Sequence, residues 1–123
     1  MKKILIIEDE MIISFGYRLQ LEQMGFEVIG TARSTEEAEE LLAQGLPDVI
    51  IMDVYLSGQK NGLELAREIH AKDAAIPIVF LTASTKPDIV DGIHALKDCH
   101  YLLKPIDPDA LTRILHRIAV SHA

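Results

Sequence analysis

Short apolar runs alternate with amphipathic segments from one end of this chain to the other. Each run has about the length of a buried strand and is followed by turn or helix-starting residues. Each intervening segment repeats apolar residues at helical spacing. Because successive strand–helix units connect parallel strands, this alternation predicts a parallel sheet with helices on both faces. The apolar runs lie at 4–7, 26–30, 49–52, 78–81 and 101–103.

The connections between these units narrow the topology. Right-handed crossovers leave few strand orders open to a doubly wound α/β sheet of five strands. We expect the flavodoxin-like order 2-1-3-4-5. Glu27 interrupts the second apolar run, which indicates a strand at the edge of the sheet.

Capping residues mark where several helices begin. Ser34 and Glu37 have capping-box spacing, and Asn61 is a cap for the third helix. Asp107 followed by Pro108 predicts the start of the last helix. The first helix carries three large apolar residues on one face, namely Met11, Phe15 and Leu19.

The fourth helix is predicted to be the weakest. Pro87 suits its first turn, but Gly92 lies inside it, where glycine costs about 1 kcal/mol relative to alanine. Lys97 and Asp98 form the corner before the fifth strand, where a left-handed backbone would favour glycine. We therefore expect a short or mobile helix at this place.

Composition limits the class of protein. The 123 residues are 49% hydrophobic, which predicts one globular domain over residues 1–123 with no output domain in this chain. The net charge of −7 argues against direct nucleic-acid binding, and no apolar run approaches the length of a membrane span. The single cysteine, Cys99, has no partner for an internal disulfide, which indicates a cytoplasmic location.

Polar residues follow four of the five predicted strands. In an open α/β sheet the carboxyl ends of the strands form the functional edge. Reading off these positions brings together Glu8, Asp9, Asp53, Thr82 and Lys104. Each alone has an ordinary structural interpretation, such as a helix cap or a turn, but their shared edge favours a functional site.

These side chains suit phosphoryl transfer. Clustered carboxylates repel unless a cation joins them, and oxygen ligands select a hard cation such as Mg²⁺. Lys104 would place a positive charge beside a phosphoryl oxygen. Thr82 and the backbone N–H of Ala83 can donate hydrogen bonds to the same group. Phosphoryl transfer requires little beyond such positioning and charge neutralisation.

The same residues carry a family resemblance over essentially the whole chain. The sequence resembles a response-regulator receiver domain of the chemotaxis-regulator type. The motifs agree in order and spacing. They are Ile6-Ile7-Glu8-Asp9-Glu10, Ile51-Met52-Asp53, Leu81-Thr82-Ala83 and Tyr101-Leu102-Leu103-Lys104-Pro105.

The resemblance implies a role for each position. Asp53 would accept a phosphoryl group from a sensor histidine kinase or a phosphotransfer protein. Asp9 and Asp53 would bind Mg²⁺ directly, with Glu8 acting mainly through water and Tyr55 supplying its backbone carbonyl. Lys104 would bind a phosphoryl oxygen.

The resemblance also implies a switch and an output surface. Lys104–Pro105 would be a cis peptide bond. Thr82 would move toward the phosphate and Tyr101 would turn inward. This rearrangement would remodel the surface of the fourth helix, fifth strand and fifth helix, where a downstream protein binds.

The loop after Asp53 departs from the family pattern. Ser57 stands where family members commonly have proline, and Gly62 falls one residue late, so the loop is lengthened. Tyr55 is bulky for its position and can screen a phosphate from water. We expect it to influence the rate of dephosphorylation.

Three other functions compete with this interpretation. A Mg²⁺-dependent phosphatase of the haloacid-dehalogenase type would need an aspartate where Tyr55 stands. A flavin-binding flavodoxin-like domain would need a phosphate-binding loop after the first strand, where the acidic residues repel phosphate. A receiver-like module that only binds partners would not need the complete set of site residues.

Overall fold

Strands and helices alternate along the chain as the sequence predicts. The computed structural model describes residues 2–56, 60–72, 76–83 and 86–121. The elements are β1 (Lys3–Ile7), α1 (Met11–Gln23), β2 (Glu27–Ala32), α2 (Thr35–Gln44), β3 (Val49–Asp53), α3 (Gly62–Lys72), β4 (Ile78–Thr82), α4 (Pro87–His94), β5 (Cys99–Leu103) and α5 (Pro108–Ser121).

The five strands form one parallel sheet in the order β2-β1-β3-β4-β5. The predicted fold class and strand order are thus confirmed, and β2 is an edge strand, as Glu27 indicated. β3 pairs with β1 on one side and β4 on the other. Its last residue, Asp53, therefore lies at the middle of the carboxyl edge of the sheet.

Alternate strand residues enter two separate cores, because successive side chains of a strand point to opposite faces. One face of the sheet packs against α2, α3 and α4, with Met52 and Phe80 at its centre. The other face packs against α1 and α5, with Ile51 and Val79 at its centre. Two buried cores explain why β3 and β4 are apolar throughout rather than alternating.

The predicted caps are present where the helices begin. Ser34 Oγ accepts a hydrogen bond from the Glu37 N–H at 3.2 Å. Asn61 and Glu64 cap the start of α3 reciprocally, each side chain accepting from the other's backbone N–H. Asp107 accepts from the Asp109 N–H at 3.1 Å at the start of α5.

One apolar face of α1 is uncovered. Met11, Phe15 and Leu19 share a face, as their spacing predicts, but that face is exposed rather than packed on the sheet. Ile12 beside them is 89% exposed. The side chains that α1 buries are Ser14 and Leu21.

Helix α4 is as short as expected, and Gly92 has a packing role within it. A Cβ at Gly92 would lie 3.2 Å from Leu63 Cδ1, so glycine permits close packing of α4 on α3. The corner after α4 places Asp98 in the left-handed region, at φ 55°. Its carbonyl accepts from the Ile78 N–H at 3.0 Å, which fixes that conformation.

Replacing Asp98 by glycine is expected to stabilise the protein by about 1 kcal/mol, because glycine adopts the left-handed conformation without steric cost. Urea denaturation would measure the change in the free energy of unfolding. Asp91→Gly makes the same charge change inside α4 and should instead destabilise slightly. Equal destabilisation by both substitutions would show that Asp98 is not strained.

Within the described ranges, no helix has both the length and the apolarity needed to cross a membrane.

Candidate functional site

The carboxyl ends of four strands meet at one rim. Glu8 directly follows β1, Asp53 ends β3, Thr82 ends β4 and Lys104 directly follows β5. These are the positions at which open α/β sheets hold their ligands. The sequence prediction of a shared edge therefore agrees with the sheet topology.

Asp53 is almost fully buried, at 7% exposure. Its Oδ1 atom accepts a hydrogen bond from the Tyr55 backbone N–H at 3.0 Å. Its Oδ2 atom accepts one from Lys104 Nζ at 2.8 Å. A carboxylate held by one amide and one ammonium is fixed in orientation and keeps its charge locally balanced.

Lys104 connects β5 to the acidic side chains. Its backbone N–H donates to the Thr82 carbonyl at 2.8 Å, and its peptide bond to Pro105 is cis. Its ammonium lies 2.8 Å from Asp53 Oδ2 and 3.6 Å from Glu8 Oε2. Burial lowers the pKa of Lys104, but the hydrogen bond and charge of Asp53, with the charge of Glu8, raise it overall.

Glu8 is the most buried carboxylate of the site, at 1% exposure. Its backbone N–H continues the sheet by donating to the Ala32 carbonyl at 2.8 Å. Among the described residues, neither of its carboxylate oxygens finds a hydrogen-bond partner. Burial first, and the nearby Asp53 carboxylate second, raise the pKa of Glu8 to about 7, with Lys104 opposing the shift.

The acidic residues after β1 fit a hard cation. Carboxylate oxygens of Glu8, Asp9 and Glu10 all lie within 4.8 Å of one another. A buried carboxylate that lacks a hydrogen bond is stabilised by a cation, and oxygen ligands suit Mg²⁺. Glu10 was not predicted as a ligand, although it is adjacent to the two that were. Ligation by Asp53 and by the Tyr55 carbonyl stays a prediction.

The residues predicted to act as a switch lie at or near the same rim. Thr82 is fully buried, and Ala83 after it is exposed. Tyr101 in β5 is partly buried, with its ring centroid 5.7 Å from that of His94 at the end of α4. Their predicted movements on phosphorylation stay predictions.

Tyr17 was not singled out in the sequence. This half-buried residue of α1 packs against the core between the sheet and α5. Burial raises the pKa of Tyr17, Lys104 lowers it, and the charges of Glu8 and Asp53 raise it further. The phenol therefore lies within electrostatic reach of the site. The sequence could have indicated this proximity, because Tyr17 lies on α1 about two helical turns beyond Asp9.

The cysteine does not contribute to this site. Cys99 begins β5, at the opposite end of that strand from Lys104. Burial raises the pKa of its thiol to about 12, so it stays protonated.

Comparison with known proteins agrees with the resemblance to a receiver domain that the sequence motifs carry. The family model for the response regulator receiver domain matches residues 4–116. The transcriptional regulatory protein PdtaR of Mycobacterium tuberculosis is 38% identical over 104 residues, which cover 85% of this chain and 50% of PdtaR. PhoB, the phosphate regulon transcriptional regulatory protein of Pseudomonas aeruginosa, is 33% identical over 120 residues, covering 95% of this chain and 51% of PhoB. The chain thus spans about half the length of these relatives.

Solved structures show the same architecture. The receiver domain of a modulated diguanylate cyclase from Desulfovibrio desulfuricans G20 has a TM-score of 0.84 and 29% identity, covering 98% of both chains. The isolated receiver domain of RcsB from Salmonella enterica serovar Typhimurium has a TM-score of 0.86 and 26% identity. That match covers 94% of this chain and 86% of the RcsB chain, which was solved in the presence of the phosphomimetic BeF₃⁻. The prediction of a single domain without an output domain stays a prediction.

Proposed function

Because this chain belongs to the response regulator receiver domain family, we propose that it is a phosphorylation-activated switch of a two-component or phosphorelay system in which Asp53 accepts the phosphoryl group. The observation that carries the proposal is the setting of Asp53. It ends the central strand, accepts a hydrogen bond from Lys104 and lies beside the acidic residues that follow β1.

The transfer itself requires one bond to form and one to break. A carboxylate oxygen of Asp53 bonds to the phosphorus as the phosphorus–nitrogen bond of a donor phosphohistidine breaks. The histidine nitrogen keeps the electron pair of the broken bond. Lys104 then faces an aspartyl phosphate rather than a carboxylate and balances part of its added charge.

Mg²⁺ is the cofactor of this proposal. Asp9, Asp53 and the backbone carbonyl of Tyr55 would bind it directly, and Glu8 would act mainly through water. When bound, it supplies positive charge that neutralises the phosphoryl oxygens.

Phosphorylation would act on the neighbouring residues through charge. A phosphoryl group adds about 1.5 to 2 negative charges and strong acceptor oxygens. These would attract the Thr82 hydroxyl and the Ala83 N–H, and Tyr101 would turn inward into the space that Thr82 leaves. The surface of α4, β5 and α5 would change as a result and bind a downstream protein.

The phosphoryl donor is proposed to be a sensor histidine kinase or a phosphotransfer protein. Such a donor must bring its histidine to the rim where α1 begins. The exposed apolar face of α1, formed by Met11, Ile12, Phe15 and Leu19, provides a surface for that contact. We assign the chain no turnover of an external substrate and no direct nucleic-acid contact. Its unpaired cysteine supports a cytoplasmic location.

Ile12→Asp is expected to slow phosphotransfer from a protein donor by about tenfold, since it places a charge in the apolar contact. Phosphorylation by a small acyl phosphate should be unchanged, because that donor requires no protein contact. The measurement is the rate of phosphorylation by a histidine kinase that is active on the wild-type protein. Leu46→Asp, a similar change in the exposed loop between α2 and β3, is the matched control. Equal slowing with both donors would assign Ile12 to the site rather than to docking.

The proposed function is tested by incubating the purified protein with Mg²⁺ and acetyl phosphate and measuring its intact mass. The expected result is a gain of one phosphoryl group that chelation of Mg²⁺ with EDTA prevents. A protein that gains no phosphoryl group under these conditions would contradict the proposal.

A further inference from the structure

Two aromatic rings meet between α4 and β5. His94 is the last residue of α4, and Tyr101 is the middle residue of β5. Their ring centroids lie 5.7 Å apart, with the ring planes tilted by 48°. This distance lies within the range of favourable aromatic pairs. A side chain of the helix thus contacts the tyrosine of the proposed switch.

The two rings differ in exposure. His94 is exposed, whereas Tyr101 is partly buried and packs against the core on the α2, α3 and α4 side of the sheet. His94 therefore lies on the solvent side of the Tyr101 ring. If Tyr101 turns inward, as the proposed switch requires, its ring moves away from His94 and the contact is lost.

The backbone on each side of this contact is fixed. Ile93, directly before His94, is fully buried in the same core. The Ala95 N–H after it donates to the Asp91 carbonyl at 2.9 Å, which continues the helical hydrogen bonding through His94. Tyr101 is held in the ladder between β4 and β5. The ring contact therefore depends on the orientation of the two side chains rather than on movement of α4 or β5.

We propose that His94 is a positioning residue of the switch: its ring holds Tyr101 in the position it has here, and phosphorylation must break this contact before Tyr101 can turn inward. This inference rests on the proposed function. His94 ends α4 on the side away from the rim, so it acts through the Tyr101 ring rather than on the phosphoryl group.

Loss of the contact should make the site bind a phosphoryl mimic more tightly. If the inward position of Tyr101 is coupled to an occupied site, removing a contact of the other position shifts the population inward and raises the apparent affinity. His94→Ala is therefore expected to strengthen binding of BeF₃⁻ by about threefold. This value is in the lower part of the range for aromatic pairs, because His94 is exposed.

The experiment is titration of the full chain with BeF₃⁻ at a fixed Mg²⁺ concentration, followed by NMR of ring-labelled tyrosine. The chain has three tyrosines, and Tyr101→Phe identifies the Tyr101 signal. His94→Phe keeps a ring at the contact and should bind BeF₃⁻ as wild type does. His116→Ala makes the same substitution on an exposed part of α5 and should also leave the affinity unchanged.

A double-mutant cycle tests whether His94 acts through Tyr101. Tyr101→Leu removes the ring but keeps an apolar side chain at this place in β5. In that background His94→Ala should leave the affinity for BeF₃⁻ unchanged, because there is no ring left to hold. The melting temperature of each His94 variant, measured without BeF₃⁻, should stay close to that of its parent.

Four results would overturn the inference. They are BeF₃⁻ binding by His94→Ala equal to or weaker than wild type, tightening of the same size by His116→Ala, failure of His94→Phe to restore the wild-type affinity, and the same tightening by His94→Ala in the Tyr101→Leu background. A wild-type protein that takes up neither BeF₃⁻ nor a phosphoryl group would refute the proposed function instead.

Discussion

Asp53→Asn is expected to abolish phosphoryl uptake from acetyl phosphate and from a protein donor. The amide oxygen of asparagine is a much weaker nucleophile than a carboxylate oxygen. Its attack on phosphorus would also not give a stable acyl phosphate. The side chains are nearly equal in size, and Asp53 is almost fully buried, so the sheet should keep its structure. Intact mass after incubation with Mg²⁺ and each donor measures the effect.

Asp48→Asn is the matched control for Asp53→Asn. Asp48 directly precedes β3, at the amino ends of the strands and away from the site. There its Oδ2 atom accepts a hydrogen bond from the Lys3 N–H at 2.7 Å. The substitution makes the same chemical change away from the rim and should leave phosphoryl uptake at the wild-type level. Phosphorylation of Asp53→Asn to the wild-type extent would move the acceptor to another residue.

Without Mg²⁺, the contribution of Glu8 to the free energy of unfolding is expected to fall by about 3 kcal/mol as the pH rises from about 4.5 to about 7. The folded protein keeps a proton on Glu8 up to about pH 7, whereas the unfolded chain loses it near 4.5. The folded state therefore binds more protons across this window, and stability decreases as the pH increases. Burial is the main cause, with Asp53 second.

Urea denaturation of wild type and Glu8→Gln in EDTA, between pH 4 and pH 8, isolates this contribution, because the other titrating groups are shared. The difference between the two proteins in free energy of unfolding should change across the window and level off by about pH 8. Parallel stability curves would show that Glu8 does not titrate there. Added Mg²⁺ should stabilise wild type strongly at pH 8 and weakly at pH 5, since the cation and the proton compete for the same carboxylates.

The fold was predictable because each strand is an apolar run and because the predicted caps of α2, α3 and α5 mark where those helices begin. Asn61 is an example: it caps α3 reciprocally with Glu64, and this local pattern agrees with the overall fold. The site was predictable for a different reason. Parallel strands place their carboxyl ends together, so Asp53 and Lys104 meet across 51 positions of sequence once the strand order is known.

Other features depend on tertiary contacts that carry no local signal. The spacing of Met11 and Phe15 predicts a shared face but does not indicate whether that face is covered. Gly92 has the sequence character of a helix breaker, yet its missing side chain accommodates Leu63. In the sequence, nothing distinguishes Lys60 from other loop residues. Its ion pairs with Glu39 of α2 and Glu68 of α3 form only in the folded chain.

The central claim is that Asp53 forms the aspartyl phosphate. Reduction of the phosphorylated protein with sodium borohydride converts an acyl phosphate to an alcohol, which marks the acceptor as homoserine. Digestion and peptide mass analysis then locate that residue. The account predicts homoserine at position 53 and unmodified aspartate at positions 9 and 48. Homoserine at another position, or phosphorylated protein that borohydride does not reduce, would contradict it.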